Sequence, residues 1–466
     1  MTSERIPDVS GPIEGGRGNI FGRPVDDETL IGYRLDEYFL EGDAVSYELV
    51  AGSSAGIDGR WLVQPGETAA YRTRMYVALP VDASAFNGTV LISWQNVTAG
   101  VDLGIPTPDQ MRRGFAWVGV TTQRVALDGQ PSLAADLPAM AGLCEWDPQR
   151  YGTLHHPGDA FSYDIFSQGV RYLRHGQAGG LDVLHGLVPT TFIAIGGSQS
   201  AMRLGSYINI AHQHDRVVDG FLMTVHWGLC PPPPDMSLVD SFQFTDQFRF
   251  AASSQIRDDA GTPILVLCSE SEALMNSMVR QPDSATFRFW EMAGTAHAGG
   301  ELRDVMTPIF TRDGLGDGLP TPADRNDVHW DYVEHAALAR LIEWVNTAVA
   351  PVSIAPIELD PEQPGQFRTD QFGNALGGVR LPDLAAPLGT HSGTNAAGGA
   401  TALSGQTVAF SPETIAEIYP NADAFLRAWN GAVDDLHTLG LVLPDEITTI
   451  KDRGAQHAST FASVDG

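Results

Sequence analysis

Ser198 stands in the stretch FIAIGGSQSAMRLG (Phe192–Gly205), between a β-rich run and a segment of good helix formers. Gly196 and Gly197 precede it, and Ser200 and Ala201 follow, so few side chains crowd its hydroxyl. A serine at a strand-to-helix junction can be driven into a carbonyl carbon, provided the chain also supplies a base, an acid and oxyanion donors. The competing reading is a plain N-cap, the hydroxyl serving only a backbone N–H. The residues elsewhere in the chain have to decide between the two.

A base is offered by His297, in the small-residue loop GTAHAGG, where Gly294, Ala296, Ala298 and Gly299 leave an imidazole room to reach inward. The acid comes from SESEAL, just past the apolar run Pro263–Cys268. Glu272, three residues after Ser269, is the favoured partner for the imidazole. Glu270, nearer the end of the run, is the alternative and could instead hold the loop through backbone hydrogen bonds. Either glutamate could equally be an ordinary solvated loop acid. The N–H of Gln199, at the start of the helix after the serine, is the first expected oxyanion donor. The second is expected from Asn96 or Val97 in QNVTAGVD (Gln95–Asp102), where a simple turn is the competing reading. His226 and Trp227 are expected to line a substrate pocket, and Trp94 to line it or to belong to the core. His155 and His156 are adjacent, which suits one metal ion poorly, and no HExxH pair occurs, so neither a metal nor a cofactor is expected.

These residues need a scaffold. Runs at Tyr71–Leu79, Gly88–Asn96, Phe115–Gln123, Thr191–Ser198, Gly220–Trp227, Pro263–Glu270 and Phe287–Gly294 read as strands, several of them apolar throughout. Continuous apolarity is the mark of strands covered on both faces. Helical patterns fall between and after them, at Asp164–Leu173, Ala201–His212 and Tyr332–Ala348. This alternation predicts an α/β fold with a mostly parallel central sheet flanked by helices. Two long stretches interrupt it, 124–160 and 229–262, and both follow the carboxyl ends of expected strands, as lids or binding loops do. The expected organisation is a single domain over 1–466, with a core at about 60–350. Residues 351–466 are expected to form an extension wrapped on that core, because no strand pattern for a separate sheet is visible there.

With 57 acidic and 28 basic residues in 466, the chain carries a formal charge of −29. Nucleic acid, polyanionic substrates and anionic membrane surfaces are disfavoured as partners. No signal-peptide pattern and no run of about 18 apolar residues is present. Three cysteines without metal-like spacing fit a reducing compartment, so a cytoplasmic location is expected.

Several stretches together resemble the α/β-hydrolase superfamily, and within it the large bacterial "alpha/beta hydrolase domain" family. They are VSGPIEGG (Val9–Gly16), GYRLDEYFLEGDAVSYE (Gly32–Glu48), NGTVLISWQNVTAGVD (Asn87–Asp102), GGSQSAMRLGSYIN (Gly196–Asn209), RQPDSATFRFWEMAGTAHA (Arg280–Ala298) and GNALGGVRLPD (Gly373–Asp383). The resemblance implies a Ser198 nucleophile, a His297 base, an acid from Glu270 or Glu272, and ester hydrolysis as the default chemistry. Relatives tend to carry Glu-x-Asp at the acid pair, and here Glu272 occupies the aspartate position. The expected activity is cleavage of a carboxylic ester or lactone of a mostly apolar small molecule through an acyl-enzyme. Acyl transfer on the same scaffold and non-catalytic small-molecule binding are the alternatives, and a homo-oligomer is left open.

Overall fold

The computed structural model describes residues 5–24, 30–130, 140–176, 179–233, 252–316, 321–459 and 461. The expected lid segments therefore lie in part outside the described residues, at 131–139 and 234–251. The chain forms two compact units, the first comprising 1–264, 278–281 and 307–316, the second 265–277, 282–306 and 317–466.

In the first unit the strands are β1 (Asp8–Ser10), β2 (Tyr33–Leu49), β3 (Val63–Pro80), β4 (Thr89–Trp94), β5 (Ala116–Val120), the short pair β6 (Gly129–Gln130) and β7 (Met140–Ala141), β8 (Thr191–Gly197) and β9 (Gly220–Thr224). Its main sheet runs β1-β2-β3-β5-β4-β8-β9. β2 and β3 form a long antiparallel ribbon from Tyr33↔Pro80 to Leu49↔Val63, with a register shift between Val45 and Tyr47. Periodicity marked only the Tyr71–Leu79 part of this ribbon. The rest of β3 and the whole of β2 carry many polar residues, and that masks the strand pattern.

From β5 to β9 the pairs are parallel. Every residue of β4 (TVLISW) and β5 (AWVGV) is buried, which explains why they read as unbroken apolar runs. β4 leads to β5 on one side, while β8 leads to β9 on the other, so the strand order reverses between β4 and β8. Loops leaving the carboxyl ends of strands at such a switch point form the ligand crevice of open α/β sheets. The loop after β4 holds Asn96 and Val97, and the turn after β8 holds Ser198.

The second unit contains β10 (Ile264–Ser269, all but its first residue) and its neighbour β11 (Phe287–Met292). It also holds the helix Glu270–Asn276, the helix Asp331–Thr347 and the C-terminal helices Ala422–Thr438 and Ile447–Ala458. The extension adds to β11: Val379 N–H donates to Glu291 O at 2.7 Å, and Ala293 N–H donates to Val379 O at 3.0 Å. It also has a small sheet of its own, contrary to expectation. β12 (Gly389–Ser392) pairs antiparallel with β13 (Gln406–Ala409). At four residues each, with one face half exposed, these strands are too short to show a period. Among the described residues no helix is long and apolar enough to cross a membrane.

Candidate active site

In the first unit the serine turn is shaped by close approach of backbone. Ser198 has φ 59° and ψ −119°, a combination that a residue with a Cβ seldom adopts and that costs of order 1–3 kcal/mol. Its N–H donates to Thr224 O at 2.9 Å and its carbonyl accepts from Met202 N–H at 3.1 Å, so strand and helix hold it from both sides. A Cβ at Gly196 would lie 2.9 Å from Leu204 Cδ1 and 3.0 Å from the Ser200 carbonyl; one at Gly197 would lie 3.0 Å from Thr224 Oγ1. Ser200, where a glycine is the commoner choice, uses its hydroxyl locally. It donates to Gly197 O at 2.8 Å and accepts from Gly197 N–H at 2.9 Å, closing the turn on itself.

The loop after β4 is tied to this turn. Asn96 Nδ2 donates to Gly197 O at 2.9 Å. The Asn96 N–H is engaged with Leu103 O at 3.1 Å, while the Val97 N–H points to Gln199 Oε1 at 3.4 Å. Gln199 opens the helix Gln199–Tyr207, at a position where backbone N–H groups have no intrahelical partner. Its buried side chain also donates to Gln123 Oε1 at 2.8 Å, an oxygen that accepts the Trp94 indole N–H at 3.1 Å as well. From Gln123 the chain of contacts runs to Asp159, which is ion-paired with the buried Arg203 at 3.2 Å. Gln123, Asp159 and Arg203 lie 75, 39 and 5 residues from Ser198 in the chain, and the sequence pattern did not connect them with the turn.

The three expected lining residues differ in exposure. Trp94 is wholly buried, its ring centroid 5.1 Å from Phe166 and 5.7 Å from Tyr163. His226 is also buried, accepting Gly228 N–H on Nδ1 at 3.0 Å, and burial lowers its pKa to about 4. Trp227 keeps part of its surface exposed.

In the second unit His297 and Glu272 meet: Nδ1 and Oε1 are 2.5 Å apart, with Glu272 fully buried and His297 9% exposed. The other Glu272 oxygen accepts both the N–H and the hydroxyl of Ser269 at 2.8 Å. The Ser-x-x-Glu spacing is a helix capping box, so one carboxylate both starts the helix Glu270–Asn276 and holds the imidazole. Glu270 faces elsewhere. Its buried carboxylate accepts Gly294 N–H at 2.7 Å and Gly393 N–H at 2.9 Å, and burial raises its pKa against those two donors.

Strand order, the parallel core and the flanking helices are those of an α/β-hydrolase fold. The chain belongs to the alpha/beta hydrolase domain family, whose model matches residues 9–452. No curated protein matches the sequence. Among solved structures it is similar to a lipase/esterase from Lactobacillus plantarum, at 14% identity and TM-score 0.28, covering 46% of this chain and 84% of that one. It is also similar to oligopeptidase B from Leishmania major, at 10% identity and TM-score 0.31, covering 68% of this chain and 37% of that one.

Proposed function

We propose that this protein is a serine hydrolase that cleaves a carboxylic ester or lactone of a mostly apolar small molecule through an acyl-enzyme on Ser198. The observation that carries the reading is the strained backbone of Ser198 at the carboxyl end of β8, a conformation that a simple cap does not need. The order Ser198, Glu272, His297 along the chain is that of α/β-hydrolase triads.

In this reading His297 gives its Nδ1–H to Glu272, which leaves Nε2 as the accepting nitrogen. Nε2 takes the Ser198 Oγ proton as Oγ bonds to the carbonyl carbon. The negative charge develops on the former carbonyl oxygen, facing the N–H groups of Gln199 and Val97. Val97 is preferred to Asn96, whose N–H is held by the Leu103 carbonyl at 3.1 Å, because the Val97 N–H has only a longer bond of 3.4 Å to the Gln199 side chain to give up. Collapse of the adduct breaks the bond to the alcohol oxygen, which leaves with the proton from His297. Water, deprotonated by the same imidazole, then attacks the acyl-serine and releases the acid.

A fluorophosphonate probe tests the reading directly. Labelling confined to Ser198, together with loss of p-nitrophenyl ester turnover in His297→Ala, is the expected result. A folded protein that neither labels nor turns over esters would leave non-catalytic binding as the better account. Chelators should leave the activity unchanged.

A further inference from the structure

We infer that the C-terminal extension is part of the catalytic apparatus: its segment 392–405 fixes the His297 loop, with Ser271 and Glu270 as the positioning residues that transmit the hold. The inference rests on His297 being the base of the proposed reaction.

The loop that carries His297 is built of glycine, alanine and threonine, so it has little side-chain packing with which to hold its own shape. Hydrogen bonds from outside hold its conformation, and the extension reaches it on both sides of the histidine, directly at Ala298 and through the side chains of Glu270 and Asn326 at Gly294. Ahead of it, the Glu270 carboxylate bridges Gly294 N–H and Gly393 N–H. Asn326 Nδ2 makes the same link through carbonyls, donating to Gly294 O at 2.7 Å and Ser392 O at 3.0 Å. Beyond it, Ala298 N–H donates to Leu403 O at 2.9 Å. At the histidine itself, His297 N–H donates to Ser271 Oγ at 2.8 Å, and the same hydroxyl donates to Gly393 O. Gly393 is the meeting point. A Cβ there would lie 2.5 Å from Ser271 N and 2.8 Å from the Glu270 carbonyl carbon, both backbone atoms, so the strap closes only over glycine.

Ser271 and Glu270 lie between Ser269 and Glu272, the two residues of the capping box that directs Glu272 toward the imidazole. The strap thus acts on the backbone of the histidine and on the element carrying its acid. A misplacement of about 1 Å in such a group can cost about 100-fold in rate.

The test compares Ser271→Ala and Gly393→Ala with Val408→Ser, an exposed control on β13. The readouts are ester kinetics and the low-field NMR resonance of the proton shared by His297 and Glu272. The inference expects kcat to fall about 10- to 100-fold in both strap variants with KM little changed, the resonance to shift or broaden, and Val408→Ser to match wild type. A folded strap variant with kcat within about twofold of wild type overturns it, as does loss of kcat with the resonance unmoved. In the wild-type chain the His297 amide should exchange slowly with solvent, and fast exchange overturns the clamp even where both variants unfold. Absence of ester turnover and serine labelling in wild type removes the hydrolase reading instead, because resonance and amide exchange report on the strap without activity.

Discussion

The serine turn and the histidine loop solve the same problem, holding one candidate catalytic side chain still, by different means. Around Ser198 the constraint is largely steric, since a Cβ at Gly196 or Gly197 would sit 2.9–3.0 Å from its nearest neighbours, and Met202 N–H and Thr224 O hold the serine backbone. Around His297 the constraint is polar and remote, a set of hydrogen bonds from Ser269, Ser271, Glu270 and residues about 100 positions later. The first kind is most sensitive to added atoms, and the second to lost donors or acceptors, except at Gly393, where an added Cβ would also meet backbone.

The sharpest break is at Ser198. Ser198→Gly should abolish ester turnover, a loss of about 10⁵–10⁶ in kcat. It should also raise stability by up to about 1 kcal/mol, since glycine adopts φ 59° freely. A thermal melt with no rise would mean that the turn stores no strain. On the histidine side, Glu272→Gln should cost about 10³–10⁴ in kcat, because the amide no longer fixes the tautomer. Glu270→Gln should cost only about 10- to 100-fold while lowering the melting temperature, since an amide cannot accept from both Gly294 and Gly393. Equal losses in the two variants would erase the division between acid and positioning group.

Gly196→Ala probes steric control alone. It should destabilise the protein by about 1–3 kcal/mol and depress turnover with no polar group altered.

The smallest effect expected is in pH dependence. His212 and His226 are both buried in the first unit and held near pKa 4 by desolvation, against about 6.5 in an unfolded chain. Between those values the unfolded state binds more protons, so stability should fall as pH drops from about 6.5 to 4. Denaturant titrations across that window check the sign. His212→Phe, which keeps the edge contact with Phe221, should flatten the slope.

The parallel strands were legible because burial on both faces makes their runs apolar, as TVLISW and AWVGV show. The serine turn was legible because its constraint is written in neighbouring small residues. β2 was not recognisable as a strand because its residues face both solvent and protein without a clean period, and the β12–β13 pair was missed because four residues each are too few to show one. The assignment of tasks to Glu270 and Glu272 was half visible. The Ser269-x-x-Glu272 spacing favoured Glu272 as the partner of the imidazole, while the donors on Glu270 come from Gly294 and Gly393, distant in the chain.

The sequence by itself determined the fold class and the candidates for nucleophile, base and acid, because each rests on side-chain type and spacing within a few positions. Which carboxylate meets the imidazole, what the two amides after β4 bond to, and what holds the histidine loop were decided by tertiary structure alone. Those facts depend on hydrogen bonds between backbone groups far apart in the chain, and every residue carries the same backbone groups whatever its side chain.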